Sequence, residues 1–320
     1  MKIKPIILVA GDPKSIFFEI LFKSLKKRKY LSPLILICNK ELLLSQMKYF
    51  NFKKKIKLFR LEELKFAKLN NTFLNLINVK CENSLLYSSD LRDHKRYIDK
   101  SFDIAFSIIK KKLSHKLING PINKSRFLKK KYPGITEFIS DKFKKKTAML
   151  IYNKNLSVSP VTTHLPIKNI SKKITKNSVS EKIDIINSFF KKNLKKKPKI
   201  AVTCLNPHCE SNLNFNEDKK MLVQVIKSKA KKGIFVKGPF PADTIFIKEN
   251  RKKFDVIIGM YHDQILGPFK TLFEYDAINI TIGLNFLRVS PDHGTNEKMF
   301  GKNKSNPLSL MRSLEFLDDK

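Results

Sequence analysis

Residues 255–295 read DVIIGMYHDQILGPFKTLFEYDAINITIGLNFLRVSPDHGT. The stretch opens on an apolar run, residues 256–260, whose length suits a buried strand. Tyr261, His262, Asp263 and Gln264 follow at once. Polar groups gathered at a strand's carboxyl end mark the place where α/β proteins form their sites. Lys270, Asn279 and Arg288 come next, at spacings of eight to nine residues from His262 onward. They are too far apart to share one helical turn, so only tertiary folding can bring them together. A cation, an amide and a guanidinium in one place suit a phosphate or carboxylate, because charge-assisted and bidentate hydrogen bonds are the strong ones. The plainer reading makes each a solvated surface residue, Lys270 above all in so Lys-rich a chain. Arg288 is harder to set aside, since Arg is scarce here.

Outward from that stretch the same alternation recurs. Residues 6–10 read as a buried strand, and Gly11-Asp12-Pro13 as a turn into a helix over 16–25. A second strand over 34–38 precedes a helix over 40–50, and a third follows at 56–59. Residues 61–83 are ambiguous. The spacing of Tyr97, Ile98, Phe102, Ile104, Ala105, Ile108 and Ile109 predicts a long amphipathic helix over 90–112. Residues 148–152 and 156–161 pair as a hairpin, and a helix covers 180–190. A strand over 200–205, a helix over 218–231 and a run at 235–240 complete the pattern. Strands alternating with helices predict parallel sheets covered on both faces, hence an α/β fold. Two sets of elements imply two lobes, residues 1–130 plus 295–320 and residues 131–294.

The 320 residues carry a formal net charge of +37. Such a charge suggests a nucleic-acid partner through phosphate neutralisation. Of the 65 basic residues, however, only eight are Arg, whereas base and phosphate readers lean on Arg. The lysines are spread over the whole chain, which is also rich in Ile, Asn and Phe and has no Trp. That joint bias reads as compositional drift filling solvated positions, so nucleic-acid binding is not expected as the main function. Apolar runs such as residues 5–10 and 34–38 fall far short of the ~20 residues that span a bilayer. No membrane segment is expected, and the N-terminal run is too short for a signal peptide. Cys38, Cys81, Cys204 and Cys209 form no C-x-x-C pair, which points to a reducing, cytoplasmic setting.

Three of the six histidines share a context. His164, His208 and His262 each follow a probable strand in the same half of the chain. Neighbouring parallel strands would place them near one another, and three imidazoles with an open position make a divalent-metal site. Taken singly, each is more plainly a hydrogen-bonded loop residue. His94 and His115 read as surface residues, and His293 as a residue near a ligand.

The motifs GDP (11–13), NGPINK (119–124), Gly134 with TEF (136–138), LNPH (205–208), GPFPADT (238–244), MYHDQ (260–264) and DHGT (292–295) run in order along nearly the whole chain. Together they resemble the 4-hydroxythreonine-4-phosphate dehydrogenase family, the NPH, PADT and YHDQ blocks most specifically. The resemblance implies an isocitrate/isopropylmalate dehydrogenase-like fold, two α/β/α lobes with a cleft between them. It implies a homodimer with the site at the subunit interface, NAD or NADP as cofactor, and a divalent metal such as Zn, Mg or Co. The implied reaction oxidises 4-phosphooxy-L-threonine to 2-amino-3-oxo-4-phosphooxybutanoate. That product then decarboxylates to 3-amino-2-oxopropyl phosphate, in pyridoxal 5'-phosphate biosynthesis.

Carried over by position, the resemblance makes His164, His208 and His262 the metal ligands. Thr136, Lys270, Asn279 and Arg288 become substrate contacts, and Asp292, His293, Gly294 and Thr295 lie near the dinucleotide. Asp243 and Asp263 are candidates for orienting a ligand or moving a proton, with loop capping as the plainer reading. The chain departs from the family at Ile135, where the family carries His, so one polar substrate contact is missing. The GDP loop continues Lys14-Ser15-Ile16 in place of glycines, and Cys209-Glu210-Ser211-Asn212 replaces glycines and a glutamate after NPH. Asn296, Lys298 and Phe300 stand where small residues are usual, and no G-x-G-x-x-G is present. These departures leave two alternatives: a dehydrogenase of a related phosphorylated hydroxy acid, such as threonate or erythronate phosphate, or a catalytically silent relative.

Overall fold

The computed structural model describes residues 3–81, 91–128, 131–209 and 218–320. Glu210, Ser211 and Asn212, part of the departure after NPH, lie outside the described residues, as does Asp90. Two compact units divide the chain, residues 1–132 with 285–320, and residues 133–284.

The first unit runs β1 (Ile6–Val9), α1 (Phe17–Lys27), β2 (Leu34–Cys38), α2 (Lys40–Tyr49), β3 (Ile56–Leu58), β4 (Leu74–Asn78), α3 (Leu91–Lys110), β5 (Lys116–Asn119) and the short α4 (Lys124–Leu128). The second runs α5 (Ile135–Phe143), β6 (Ala148–Tyr152), β7 (Ser157–Pro160), the short α6 (Ile170–Lys173), α7 (Lys176–Asn193), β8 (Ile200–Thr203), α8 (Val223–Lys231) and β9 (Val236–Phe240). It continues through the short α9 (Ala242–Ile245) and α10 (Lys248–Arg251) to β10 (Val256–Gly259), α11 (His262–Phe273) and β11 (Ile278–Ile282). The chain then returns to the first unit for β12 (Leu287–Pro291) and α12 (Leu308–Asp318).

In the first unit the strand order is β3-β4-β2-β1-β5-β12, and every pairing is parallel. Strands β1 and β2 are buried at every residue, which is why they read as unbroken Ile/Leu/Val runs rather than alternating ones. Helix α1 seals one face with Phe17, Phe18 and Phe22, all 2 % exposed or less, and Phe22 stacks on Phe52 at 4.4 Å between ring centroids. Strand β4 sits inside the stretch that sequence left ambiguous, a five-residue segment between polar flanks. His94, expected on the surface, is buried at 3 % exposure. It shares one face of α3 with Tyr97, Ile98 and Ser101 at helical spacing, and that face packs inward.

In the second unit the order is β11-β6-β7-β10-β8-β9. The expected hairpin is β6 against β7, antiparallel, and β6 is also antiparallel to β11. The pairs β7–β10, β10–β8 and β8–β9 are parallel. Met149, Ile151, Val158, Ile257, Ile265 and Phe269 form a core between strands and α11. A capping box on Thr175 and Ser178 starts α7. No helix among the described residues is long and apolar enough to cross a membrane.

After β12, Glu297 closes a loop onto the segment that leads from β5 into α4. Its carboxylate accepts from Asn123 Nδ2 (2.9 Å) and Arg126 Nη2 (3.0 Å). The Asn123 hydrogen bond, together with the Arg126 charge, holds the Glu297 carboxyl below its ordinary value of 4.5. A depressed carboxyl stabilises the fold in full above its unfolded value, and that contribution is lost as pH falls through the lower folded value. Glu297→Gln is therefore expected to lower stability by about 1 kcal/mol at neutral pH, the pair being partly solvent-screened. Denaturant melts at a series of pH values check this: the gap from wild type should close below pH 4.5.

Candidate active site

Strands β7, β10 and β8 lie side by side and parallel, so their carboxyl ends share one edge of the second unit. His164, His208 and His262 leave from those three ends. The rings of His164 and His262 stand 5.6 Å apart between centroids. His208, in a left-handed turn (φ 55°), instead faces Asp243, with Nδ1 3.9 Å from Oδ2. That distance is too long for a hydrogen bond. Among the described residues no three His, Cys, Asp or Glu side chains are grouped so as to hold a metal ion within one chain.

The donors nonetheless suit a divalent metal. His262 opens α11, and its Nδ1 lies 2.6 Å from Asp263 Oδ1. A carboxylate can only accept, so Nδ1 is the donor of this pair, and in the neutral ring that tautomer leaves the lone pair on Nε2, the atom a metal would use. Gly134 backs His164 so closely that a Cβ there would lie 3.1 Å from the ring's Cε1 and 2.7 Å from Glu137 Oε2. Glu137 Oε1 accepts from Thr163 Oγ1 (2.9 Å), while Oε2 is buried with no hydrogen-bond partner among the described residues. Behind it Lys182 is buried, and desolvation lowers its ammonium to about 8 against the pull of Glu137 and Glu181. Burial and the neighbouring Cys204 thiol raise the Cys209 thiol, which follows His208 in the chain.

Two residues that sequence did not single out for this role fix the loops. Gln264 Oε1 accepts from Met260 N (2.7 Å) and Thr203 Oγ1 (2.8 Å), and its Nε2 donates to Cys204 O (2.7 Å). One carboxamide thereby ties the end of β8 to the end of β10. Asp218, fully buried, accepts from Leu205 N (2.6 Å), Asn206 N (3.0 Å) and Asn206 Nδ2 (2.9 Å). It clamps the turn that carries His208. In the sequence it is marked only as the second acid of Glu217-Asp218, ahead of a Lys pair.

The expected substrate contacts divide between the units. Thr136, at the start of α5, hydrogen-bonds Thr281 through the two hydroxyls at 3.1 Å. Asn279 lies on the same face of β11 as Thr281, and its Oδ1 is a buried acceptor with no partner among the described residues. An orphaned acceptor of that kind calls for an N–H or O–H from a ligand. Lys270 is half-buried on α11. Arg288 belongs to the first unit, 2 % exposed on β12, and its Nε donates to Asn119 Oδ1 at 2.8 Å. Ile135, where a His was expected on family grounds, is buried at 8 % exposure. In the first unit the Gly11 loop packs on the Gly120 loop so tightly that a Cβ on Gly11, at φ +82°, would lie 2.5 Å from Pro121 O. Thr295 O accepts from Ile16 N at 3.2 Å, which sets residues 292–295 beside the GDP loop. Asp243 and Asp263 are both largely exposed.

Residues 29–317 match the family model described as pyridoxal phosphate biosynthetic protein PdxA. The chain is 33% identical to a 4-hydroxythreonine-4-phosphate dehydrogenase of Sulfurihydrogenibium sp. (strain YO3AOP1), over 96% of the chain and 95% of the relative. It is 33% identical to a D-threonate 4-phosphate dehydrogenase of Pectobacterium atrosepticum, over 67% of the chain and 69% of the relative. The crystal structure of 4-hydroxythreonine-4-phosphate dehydrogenase from Klebsiella pneumoniae superposes with a TM-score of 0.83 at 26% identity, covering 99% of this chain and 97% of that one.

The clamp on the His208 turn is testable without any ligand. Asp218→Ala leaves two backbone N–H groups and an amide without their charged acceptor, an expected loss of about 3 kcal/mol. Urea denaturation of the variant should show the lowered midpoint; an unchanged midpoint would remove Asp218 from this role.

Proposed function

Because the chain belongs to the pyridoxal phosphate biosynthetic protein PdxA family, we propose that it oxidises the secondary alcohol of 4-phosphooxy-L-threonine with NAD or NADP. The product, 2-amino-3-oxo-4-phosphooxybutanoate, then loses carbon dioxide to give 3-amino-2-oxopropyl phosphate. The observation that carries the proposal is the adjacency of β7, β10 and β8, whose ends supply His164, His262 and His208.

Those three histidines would hold a divalent ion such as Zn, Mg or Co, which when bound acts as a Lewis acid on the substrate's hydroxyl and later on its carbonyl oxygen. The chain's own residues do the positioning. Asp263 fixes the His262 tautomer, and Gln264 keeps the two strand ends in register. Asn279 Oδ1 offers its unused acceptor to the substrate's ammonium or hydroxyl, beside the Thr136–Thr281 pair. Lys270 and Arg288 are assigned to the phosphate, whose binding energy orients the reacting carbon from a distance. Asp292, His293, Gly294 and Thr295 are assigned to the dinucleotide, next to the GDP loop. We assign the working form to a homodimer, in which the His164–His262 pair of one subunit is completed by a second copy of the chain. A cytoplasmic setting belongs to the same proposal, supported by four cysteines that are all free.

Ile135 favours a second reading. An apolar side chain in place of a polar contact suits a substrate that needs one hydrogen bond fewer, such as D-threonate 4-phosphate, the substrate in the Pectobacterium atrosepticum relative's name.

The deciding assay follows the absorbance of reduced nicotinamide in purified protein, with Zn, Mg or Co and either phosphorylated acid. Wild type is compared with His208→Ala, expected to lose at least about a hundredfold in kcat/KM. Turnover of 4-phosphooxy-L-threonine that is metal-dependent and lost in the variant is the expected result. Turnover of D-threonate 4-phosphate alone would move the assignment to the second reading, and no turnover of either by folded protein would overturn both.

A further inference from the structure

A cavity of about 480 Å³ lies in the first unit, away from every residue assigned above. Its floor is Leu8 of β1 with Leu34 and Leu36 of β2, and Leu74 of β4 adds to it. Leu21 and Leu25 of α1 form the roof. Leu34 and Leu74 are the first residues of their strands, so the cavity sits at the amino ends of β2 and β4. The GDP and NGP loops leave from the opposite, carboxyl ends of β1 and β5.

Three cations line this cavity, Arg28, Lys29 and Lys54, and no acidic residue does. Arg28 is neutralised by Glu315 at 2.7 Å. Lys54 is different. It is half-buried, desolvation lowers its ammonium below the ordinary value, and among the described residues it has neither a carboxylate nor a hydrogen-bond partner. Tyr30, 6 % exposed, lines the same space and keeps a buried hydroxyl without a hydrogen-bond partner among the described residues. An apolar chamber of this volume with a few placed polar groups has the make-up of a small-molecule site. A half-desolvated ammonium beside apolar walls is compensated best by an anion that brings its own hydrocarbon.

We propose that this cavity binds a medium-chain carboxylate, its head on Lys54 and its chain against Leu25 and Phe73, the half-exposed apolar side chains of its lining. The site is independent of the dehydrogenase reading, since it shares no residue with it. A carboxylate there forms one charge-assisted hydrogen bond and removes apolar wall from water.

The test titrates octanoate into the full chain by calorimetry, at fixed ionic strength, beside acetate and octyltrimethylammonium. Octanoate should bind one per chain, and the other two should not. Lys54→Gln should weaken octanoate about tenfold, the size of one lost charged hydrogen bond. Leu25→Phe, which fills the half-buried roof, should weaken it without touching the charge. Lys192→Gln, on an exposed helical surface of the second unit, should change nothing. No octanoate binding, equal binding of octyltrimethylammonium, or equal loss in Lys192→Gln and Lys54→Gln would each overturn the proposal. The last of these would mean diffuse attraction to a highly positive chain.

Discussion

The carboxamide of Gln264 makes three hydrogen bonds to two strand ends, and the candidate site depends on that tie. Strands β8 and β10 are neighbours in space, yet β9 lies between them in sequence. Their loops emerge about one strand spacing apart and would diverge without a cross-link, because a loop past the last ladder bond has no partner of its own. An amide is suited to this task, since it accepts through oxygen and donates through nitrogen at once. Val161 N and Thr162 Oγ1 tie the β7 loop to Gly259 and Met260 in the same way, so all three histidine-bearing ends are stitched through the end of β10.

Much of this was legible in the chain itself. Runs such as IILV and LILIC announce buried parallel strands, and a histidine a few residues past three such runs announces a shared edge. What sequence could not give was the spatial order β7-β10-β8, because strand order depends on how crossovers pass and not on any local pattern. Asp218 was illegible for a related reason. It acts on Leu205 and Asn206 from more than ten residues away, through a contact that no periodicity encodes. Strand β4 escaped because five residues with Asn at the second and fifth positions give too little alternation to distinguish from a loop. His94 escaped because charged neighbours on α3 masked the inward stripe it shares with Tyr97 and Ser101.

The lysines, which dominate the composition, are mostly solvent-facing, and the buried cations are each handled differently. Lys116 donates to Ser32 Oγ at 3.0 Å, and Lys229 pairs with Asp184. Burial lowers the Lys182 ammonium to about 8 against the pull of Glu137 and Glu181, and Arg288 leans on the Asn119 amide. Guanidinium resists deprotonation far more than ammonium does, so an Arg buried on a strand keeps its charge where a Lys would shed it.

The second unit is an insertion, and this bears on the order in which the protein comes into being. During synthesis β5 emerges with β1 already made, but its other neighbour, β12, is encoded after all of residues 133–284. The second unit holds its six strands within a single uninterrupted segment and can close as soon as that segment clears the ribosome. The first unit must wait, with one edge of β5 open, through the whole of that interval. Open strand edges are where chains mispair. The unit that starts first therefore finishes last, and its period of greatest exposure to aggregation falls while the other unit can already be folded.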